Sequence, residues 1–383
     1  MLRSEAWNRA EHVVCVRLDA LGDLLMTTPA IRAIKESRED RRVTVLTSPA
    51  GAEAARLVPE VDDVVVYEAP WMKATAPRQD SRIDRDMVRR LQALRADAAV
   101  IFTVYSQNPL PAALLCYFAE IPLRLAHCRE NPYQVLTDWV PEPEPDWLVR
   151  HEVRRQLDLV AAVGCQTSDQ RMGLRYPADA RERVRARLRD LGLRPERPWV
   201  VIHPGATAAS RRYPPAQFAA AARRLVLDVG MQIVFTGSEP ERPLIEEIGR
   251  AMGVPWLSLA GELDLGELAA LLADAPLLIS NNTGPVHIAA AVGTAVAALY
   301  ALTNPQHAPW GVPHRVLSHD VPCKYCYKSV CPEGHHDCLR LVPPEAVVDA
   351  VWALSTELGR LRRGVTADLS LPILEPFQTR VTG

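Results

Sequence analysis

No segment of the 383-residue sequence is both long and apolar enough to suggest a membrane span. The longest weakly polar run, residues 288–302, is about 15 residues, holds Gly293 and Thr294, and falls short of the roughly 20 residues a spanning helix needs. An excess of one charge is also missing. Lys and Arg number 44 against 46 Asp and Glu, a net charge of −2, which excludes a general polyanion binder and with it a nucleic-acid partner. The first twenty residues interleave Arg3, Glu5, Arg9, Glu11, Arg17 and Asp19 and have no apolar core of the signal-peptide kind. Export is therefore not expected; the expected location is cytoplasmic, with peripheral contact at the inner face of the membrane left open. No Gly-x-Gly-x-x-Gly follows the first apolar run, which removes the usual fingerprint of a nicotinamide-binding protein. No Asp-x-Asp pair stands at a strand end to bridge a metal and a diphosphate, so no cofactor is expected to be required for chemistry.

What is present is an alternation of apolar runs and helical patterns, in a chain too long for one typical core and 48% hydrophobic. In the first half, runs at residues 12–18, 42–47, 63–67 and 98–102 alternate with helices expected over 24–37 and from 50 onward. The second half restarts the pattern with strands expected at 199–203, 232–236, 256–259, 277–280 and 295–300, helices between them, and a last helix over 344–361. Such alternation builds parallel sheets. The expected fold class is α/β, with two Rossmann-like, doubly wound domains facing a central cleft: residues 1–180, residues 181–362, and a tail at 363–383. No fixed-period repeat accompanies them.

Ligands in such folds bind at strand-to-helix loops, and three loops carry suitable chemistry. The first, Arg17 to Asp23, ends on Gly22 and Asp23. A carboxylate there suits a general base that takes a proton from an attacking hydroxyl, or simply caps the helix. The second, residues 203–214, offers Gly205, Thr207, Ser210, Arg211 and Arg212 as a diphosphate grip. The third, Ser-Asn-Asn-Thr-Gly-Pro-Val-His at 280–287, places Asn282, Thr283, Gly284 and His287 at a helix N-terminus suited to phosphate. In the sequence Gly-Ser-Glu-Pro-Glu at 237–241, either carboxylate, Glu239 or Glu241, is placed to bind ribose or sugar hydroxyls, with helix capping by Ser238 as the alternative use.

The segments VRLDALGDLLMTTPAIRAIKE, VVIHPGATAASRRYPPAQFAAAARRL, VFTGSEPER, LAGELDLGELAALLADAPLLISNNTGPVHIAAAVGTAVAALY and CPEGHHDCLRLVPPEAVVDAV resemble glycosyltransferase family 9, the ADP-heptose:lipopolysaccharide heptosyltransferases of GT-B fold. The resemblance covers the first helix and most of the C-terminal half. It implies an inverting transfer of a heptose or related sugar from ADP-heptose to a hydroxyl of a lipopolysaccharide core or other glycan or glycolipid acceptor. Asp23 would be the base, Arg211 or Arg212 the basic donor residue, and Thr283, Gly284 and His287 the donor loop. Many members carry Asp where this chain has Asn282, which bears on the donor sugar. A sugar-nucleotide epimerase and a non-catalytic nucleotide-sugar-binding module are alternatives on the same architecture.

Two further groups stand out. Lys73, Arg78, Arg82 and Arg85 are candidate contacts for an anionic acceptor, or a solvated basic face. Cys323, Cys326, Cys331 and Cys338, with His335 and His336 among them, have a spacing compatible with a structural zinc clip, with reduced thiols or a redox pair as the alternatives.

Overall fold

A computed structural model describes residues 2–359 apart from 74, 147 and 304, so the tail expected at 363–383 lies outside the described residues. Helix α1 (Leu2–Arg9) leads into β1 (His12–Arg17), α2 (Leu21–Glu36), β2 (Arg42–Thr47), α3 (Pro49–Ala55) and β3 (Asp63–Val66). Then come α4 (Arg82–Leu94), β4 (Ala98–Ile101), α5 (Leu110–Phe118), β5 (Leu123–Cys128), β6 (Asp138–Pro141) and α6 (Glu152–Ala161). The six strands are all parallel, in the order β3-β2-β1-β4-β5-β6. Strands such as β1 and β4 are buried along their whole length, because helices cover both faces and leave no polar side to alternate with.

After α7 (Ala180–Asp190), the second half repeats the plan. It runs β7 (Trp199–His203), α8 (Pro215–Leu227), β8 (Gln232–Phe235), α9 (Arg242–Met252), β9 (Leu257–Ser258), α10 (Leu265–Asp274), β10 (Leu277–Asn281), α11 (Gly284–Ala291), β11 (Ala295–Leu299) and β12 (His314–Leu317). Short helix α12 (Asp337–Arg340) and then α13 (Pro344–Glu357) follow, and α13 packs back on α8. The strand order, β12-β11-β10-β7-β8-β9, is the first sheet's order read from the other edge. Each sheet therefore has one point where successive connections leave in opposite directions, between β1 and β4 and between β7 and β10, and the crevice outside the strand ends there is where such folds take ligands. The halves meet through α2 and α11, which pack on each other.

Candidate active site

Helix α2 starts at Leu21, so Gly22 and Asp23 sit in its first turn. Asp23 accepts a hydrogen bond from the Ala20 N–H at 3.3 Å, a reciprocal cap that satisfies a free donor at the helix start. The same side chain lines a cavity of about 750 Å³ that opens over the ends of β1 and β4. Capping and facing the cavity are thus one arrangement. Beneath it lies Arg17, 1% exposed, whose guanidinium stands 3.0 Å from Asp19, 3.3 Å from Asp23 and 3.9 Å from Glu152 of α6. One buried cation thus serves three carboxylates. Burial pushes the Glu152 carboxyl up to about 7, against the pull of Arg17 and Arg155. Burial also raises Asp19, which Arg17 and a short hydrogen bond from Gln107 oppose.

The cavity wall beside Asp23 carries Asp19, Glu68, Tyr67, Trp71, Met72, Gln107 and Asn108, with Lys73 as its basic member. Arg78 and Arg82 do not line it. Arg78 pairs with Asp84 at 3.3 Å and donates to the Glu68 carbonyl, and Arg82 pairs with Asp80 at 2.9 Å in solvent. Arg85 donates to the Ser81 hydroxyl at 2.7 Å and does not line the cavity either. Of the four basic residues expected to receive an anionic acceptor, only Lys73 therefore stands in the wall, which is richer in acid than in base.

A second cavity, about 340 Å³, opens over the ends of β7 and β8 and the first turn of α11. Thr207, Thr283 and Gly284 line it, as do Glu241, the second carboxylate of Gly-Ser-Glu-Pro-Glu, and His203 and Ser238; Thr236 and Asp264, which carried no signal in the sequence, line it too. Glu239 does not; it is exposed and paired with Arg242 at 2.7 Å. Glu241 is the carboxylate that turns inward. It accepts from the Ser238 N–H and hydroxyl at 2.8 and 2.9 Å and lies 3.9 Å from His203. The space that Gly205 leaves is filled by that carboxylate, since a Cβ there would fall 1.9 Å from its oxygen.

The two adjacent arginines separate in role. Arg212 donates to the carbonyls of Ala206 and Thr207 at 2.8 and 3.3 Å and braces its own loop. Arg211 has a buried Nε without a partner and acts electrostatically on His287, Tyr300 and His307. His287 is buried against Gly22 of the first half, with its Nδ1 unpartnered. Desolvation, then His151 and Arg211, hold it down at about 3. It is a neutral imidazole at pH 7 and can offer a hydrogen bond but no charge. His307, also expected by no motif, is held well below its ordinary value by burial and by His287, Arg17, His151 and Arg211.

Asn282 is buried with an unpartnered Oδ1. Its neighbour Asn281 joins the two donor-side loops, accepting from the Tyr213 N–H at 3.0 Å and donating to the Pro204 carbonyl at 2.7 Å.

The geometry of the cysteine cluster does not support the zinc alternative. Cys323, Cys326, Cys331 and Cys338 are near enough for the first three to raise the Cys338 thiol, after burial. Yet among the described residues no group of three or more His, Cys, Asp or Glu side chains is placed to hold a metal ion. Cys323 instead lies 3.7 Å from His335 Nε2, whose Nδ1 accepts from the Asp337 N–H at 2.9 Å.

Two parallel sheets of the same order, each with a cavity at its switch point, define a two-lobed α/β protein of the GT-B class. The Veillonella parvula glycosyl transferase family 9 structure matches this fold with a TM-score of 0.75 at 20% identity, covering 91% of this chain and 97% of that one. The Escherichia coli ADP-heptose lps heptosyltransferase II structure matches with a TM-score of 0.69 at 22% identity, covering 91% and 99%. A family model, glycosyltransferase family 9 (heptosyltransferase), matches residues 85–336, well over half of the sequence, and the chain belongs to that family; it is a glycosyltransferase. Lipopolysaccharide heptosyltransferase 2 of Salmonella typhimurium is 25% identical over 348 residues, 88% of this chain and 97% of the relative. The Escherichia coli K12 protein of the same name is 26% identical over 346 residues, 87% and 95%. Among the described residues no helix is long and apolar enough to cross a membrane.

Proposed function

We propose that this glycosyltransferase moves a heptose from ADP-heptose, held over β7, β8 and the N-terminus of α11, to a hydroxyl of a lipopolysaccharide-core glycolipid bound in the cavity beside Asp23. The acceptor oxygen attacks the anomeric carbon as its proton passes to the Asp23 carboxylate. The bond from that carbon to the diphosphate oxygen breaks, ADP leaves with the electron pair, and the carbon inverts. Arg211 and the free N–H groups at Thr283 and Gly284 offset the charge that develops on ADP, so no divalent cation is needed. The acceptor reaches the enzyme at the cytoplasmic membrane surface.

The observation that carries this reading is the position of Asp23: in the wall of the larger cavity, paired with buried Arg17 at 3.3 Å, at the end of the helix that packs on α11. General-base catalysis contributes about 10²- to 10⁴-fold. Asp23→Ala should therefore lower turnover of ADP-heptose by at least about 10²-fold while calorimetry finds ADP affinity little changed. Turnover that survives in Asp23→Ala would remove Asp23 as the base. Turnover in the wild type that is unchanged by added EDTA is the matching result for the metal-free diphosphate site.

A further inference from the structure

Helix α5 reads Leu-Pro-Ala-Ala-Leu-Leu-Cys-Tyr-Phe, with no charged side chain. Its inner face, Ala112, Ala113, Leu115 and Cys116, is buried in the first-half core. Its outer face is apolar too. Leu114, Tyr117 and Phe118 are 40%, 46% and 55% exposed, and their i, i+3, i+4 spacing gathers them on one stripe. A helix facing water ordinarily turns polar residues outward, and large apolar side chains grouped on a surface mark an interaction site.

The neighbouring helix supplies charge. The Gln92 side chain of α4 donates to the Phe118 carbonyl at 3.2 Å, which fixes that stripe of α4 beside the end of α5. Exposed Arg85 and Arg89 lie seven and three residues before Gln92, on the same stripe. Residues 82–95 hold five arginines and two aspartates in a chain that is otherwise near neutral. Among the described residues Arg85, Arg90 and Arg95 make no ion pair. At its other end α5 contributes Pro111 and Ala112 to the cavity that holds Asp23.

The geometry points to a docking face for an anionic bilayer: Leu114, Tyr117 and Phe118 enter the boundary between headgroups and acyl chains, and the α4 arginines pair with lipid phosphates. Apolar side chains bordered by arginines match that surface in both polarity and charge. The inference rests on the acceptor being a glycolipid, whose sugar would meet the α5 end of the cavity without leaving the membrane.

The test is flotation of the full chain with vesicles of phosphatidylcholine alone and of phosphatidylcholine mixed with phosphatidylglycerol. Binding is expected only to the mixed vesicles and should weaken with salt. Removing one arginine from a charged membrane surface costs roughly fivefold in partition, so Arg85→Glu with Arg89→Glu should lose at least that for each site. Leu114→Ser with Phe118→Ser should abolish binding, and Arg250→Glu on α9 should not alter it. All of these side chains are exposed, so unchanged melting temperatures and unchanged turnover of a soluble oligosaccharide acceptor confirm intact folds. Absent wild-type binding, equal binding by all variants, or loss of a chain dimer in Leu114→Ser with Phe118→Ser without any vesicle binding would each overturn the docking face. Vesicle binding that follows these residues in a chain without transferase turnover would keep the docking face and discard the transfer reading.

Discussion

Arg17 has one positive charge to share among Asp19, Asp23 and Glu152, and that imbalance governs what single substitutions should do. Glu152 is pushed up to about 7 by burial, so it gains its charge as the pH rises through neutrality. Its negative charge then competes with Asp23 for the one Arg17 guanidinium, which stands 3.3 Å from Asp23 and 3.9 Å from Glu152. The expected kcat/KM of the wild type rises through pH ~7, and Glu152→Gln, which keeps the shape and loses the titration, should flatten that limb. A limb that persists in Glu152→Gln would assign it to another group. The adjacent arginines make a second contrast. Arg211→Ala should weaken ADP binding by about tenfold or more, since a hydrogen bond to a charged group is worth about 1.5–3 kcal/mol. Arg212→Ala should act chiefly on stability by freeing the Ala206 and Thr207 carbonyls; equal losses of ADP affinity in the two variants would contradict the division. Sequence alone left these arginines interchangeable because they are adjacent and alike. Asp23 could be placed at the cavity from sequence because it opens the helix after the first strand-to-helix loop, whereas Glu152, far along the chain on α6, had no local signal to tie it to Arg17.

At the scale of elements, apolar runs bounded by turn residues were readable: β2, β7 and α10 fall where the pattern placed them. β5 was missed because Leu-Arg-Leu-Ala-His-Cys buries Arg124 and His127 inside a strand. There the guanidinium is satisfied by carbonyls, including those of Val135 and Gln134 at 2.7 and 2.9 Å. β6 is four residues ending in proline, and α5 looks like any short apolar run. α2 begins at Leu21 rather than at 24, because Gly22 looked like a turn. Its absent side chain serves the neighbouring lobe instead, since a Cβ at Gly22 would fall 2.5 Å from His287 Cδ2. Gly22→Ala thus sets two effects against each other. Helix propensity favours alanine by about 1 kcal/mol, while overpacking in a closed contact typically costs about 1–3 kcal/mol. The contact should win, so Gly22→Ala is expected to lower both the melting temperature and turnover. A raised melting temperature with full activity would show that α2 and α11 separate freely.

For the molecule as a whole, the consequence of this construction is acid sensitivity. Burial holds His127 and His287 at about 3 and His151 at about 4. In the unfolded chain these groups take up protons near pH ~6.5. Their folded values are depressed, so the stability they contribute is complete above pH ~6.5 and is lost as the pH falls toward the folded values, at about 1.4 kcal/mol per pH unit for each proton withheld. Glu152 works the other way, because its folded value is raised: below its unfolded value near ~4.3 its contribution is complete, and it is lost as the pH rises through about 7. Glu152 and Asp19, which burial also raises, are opposed by these three histidines and by His307, which is likewise held down, so the melting temperature should fall steadily from pH 6.5 to pH 4.5. Two of those histidines stand where the lobes meet: His287 lies against Gly22, and His151 binds the Ala308 carbonyl at 2.8 Å with its ring 4.6 Å from that of Trp310. Protonation should therefore loosen the α2–α11 contact before either sheet melts, splitting the calorimetric transition in two at the acid end. A melting temperature flat across this range would mean that the histidines gain protons in the folded state, and a single transition at every pH would mean that the two lobes unfold as one.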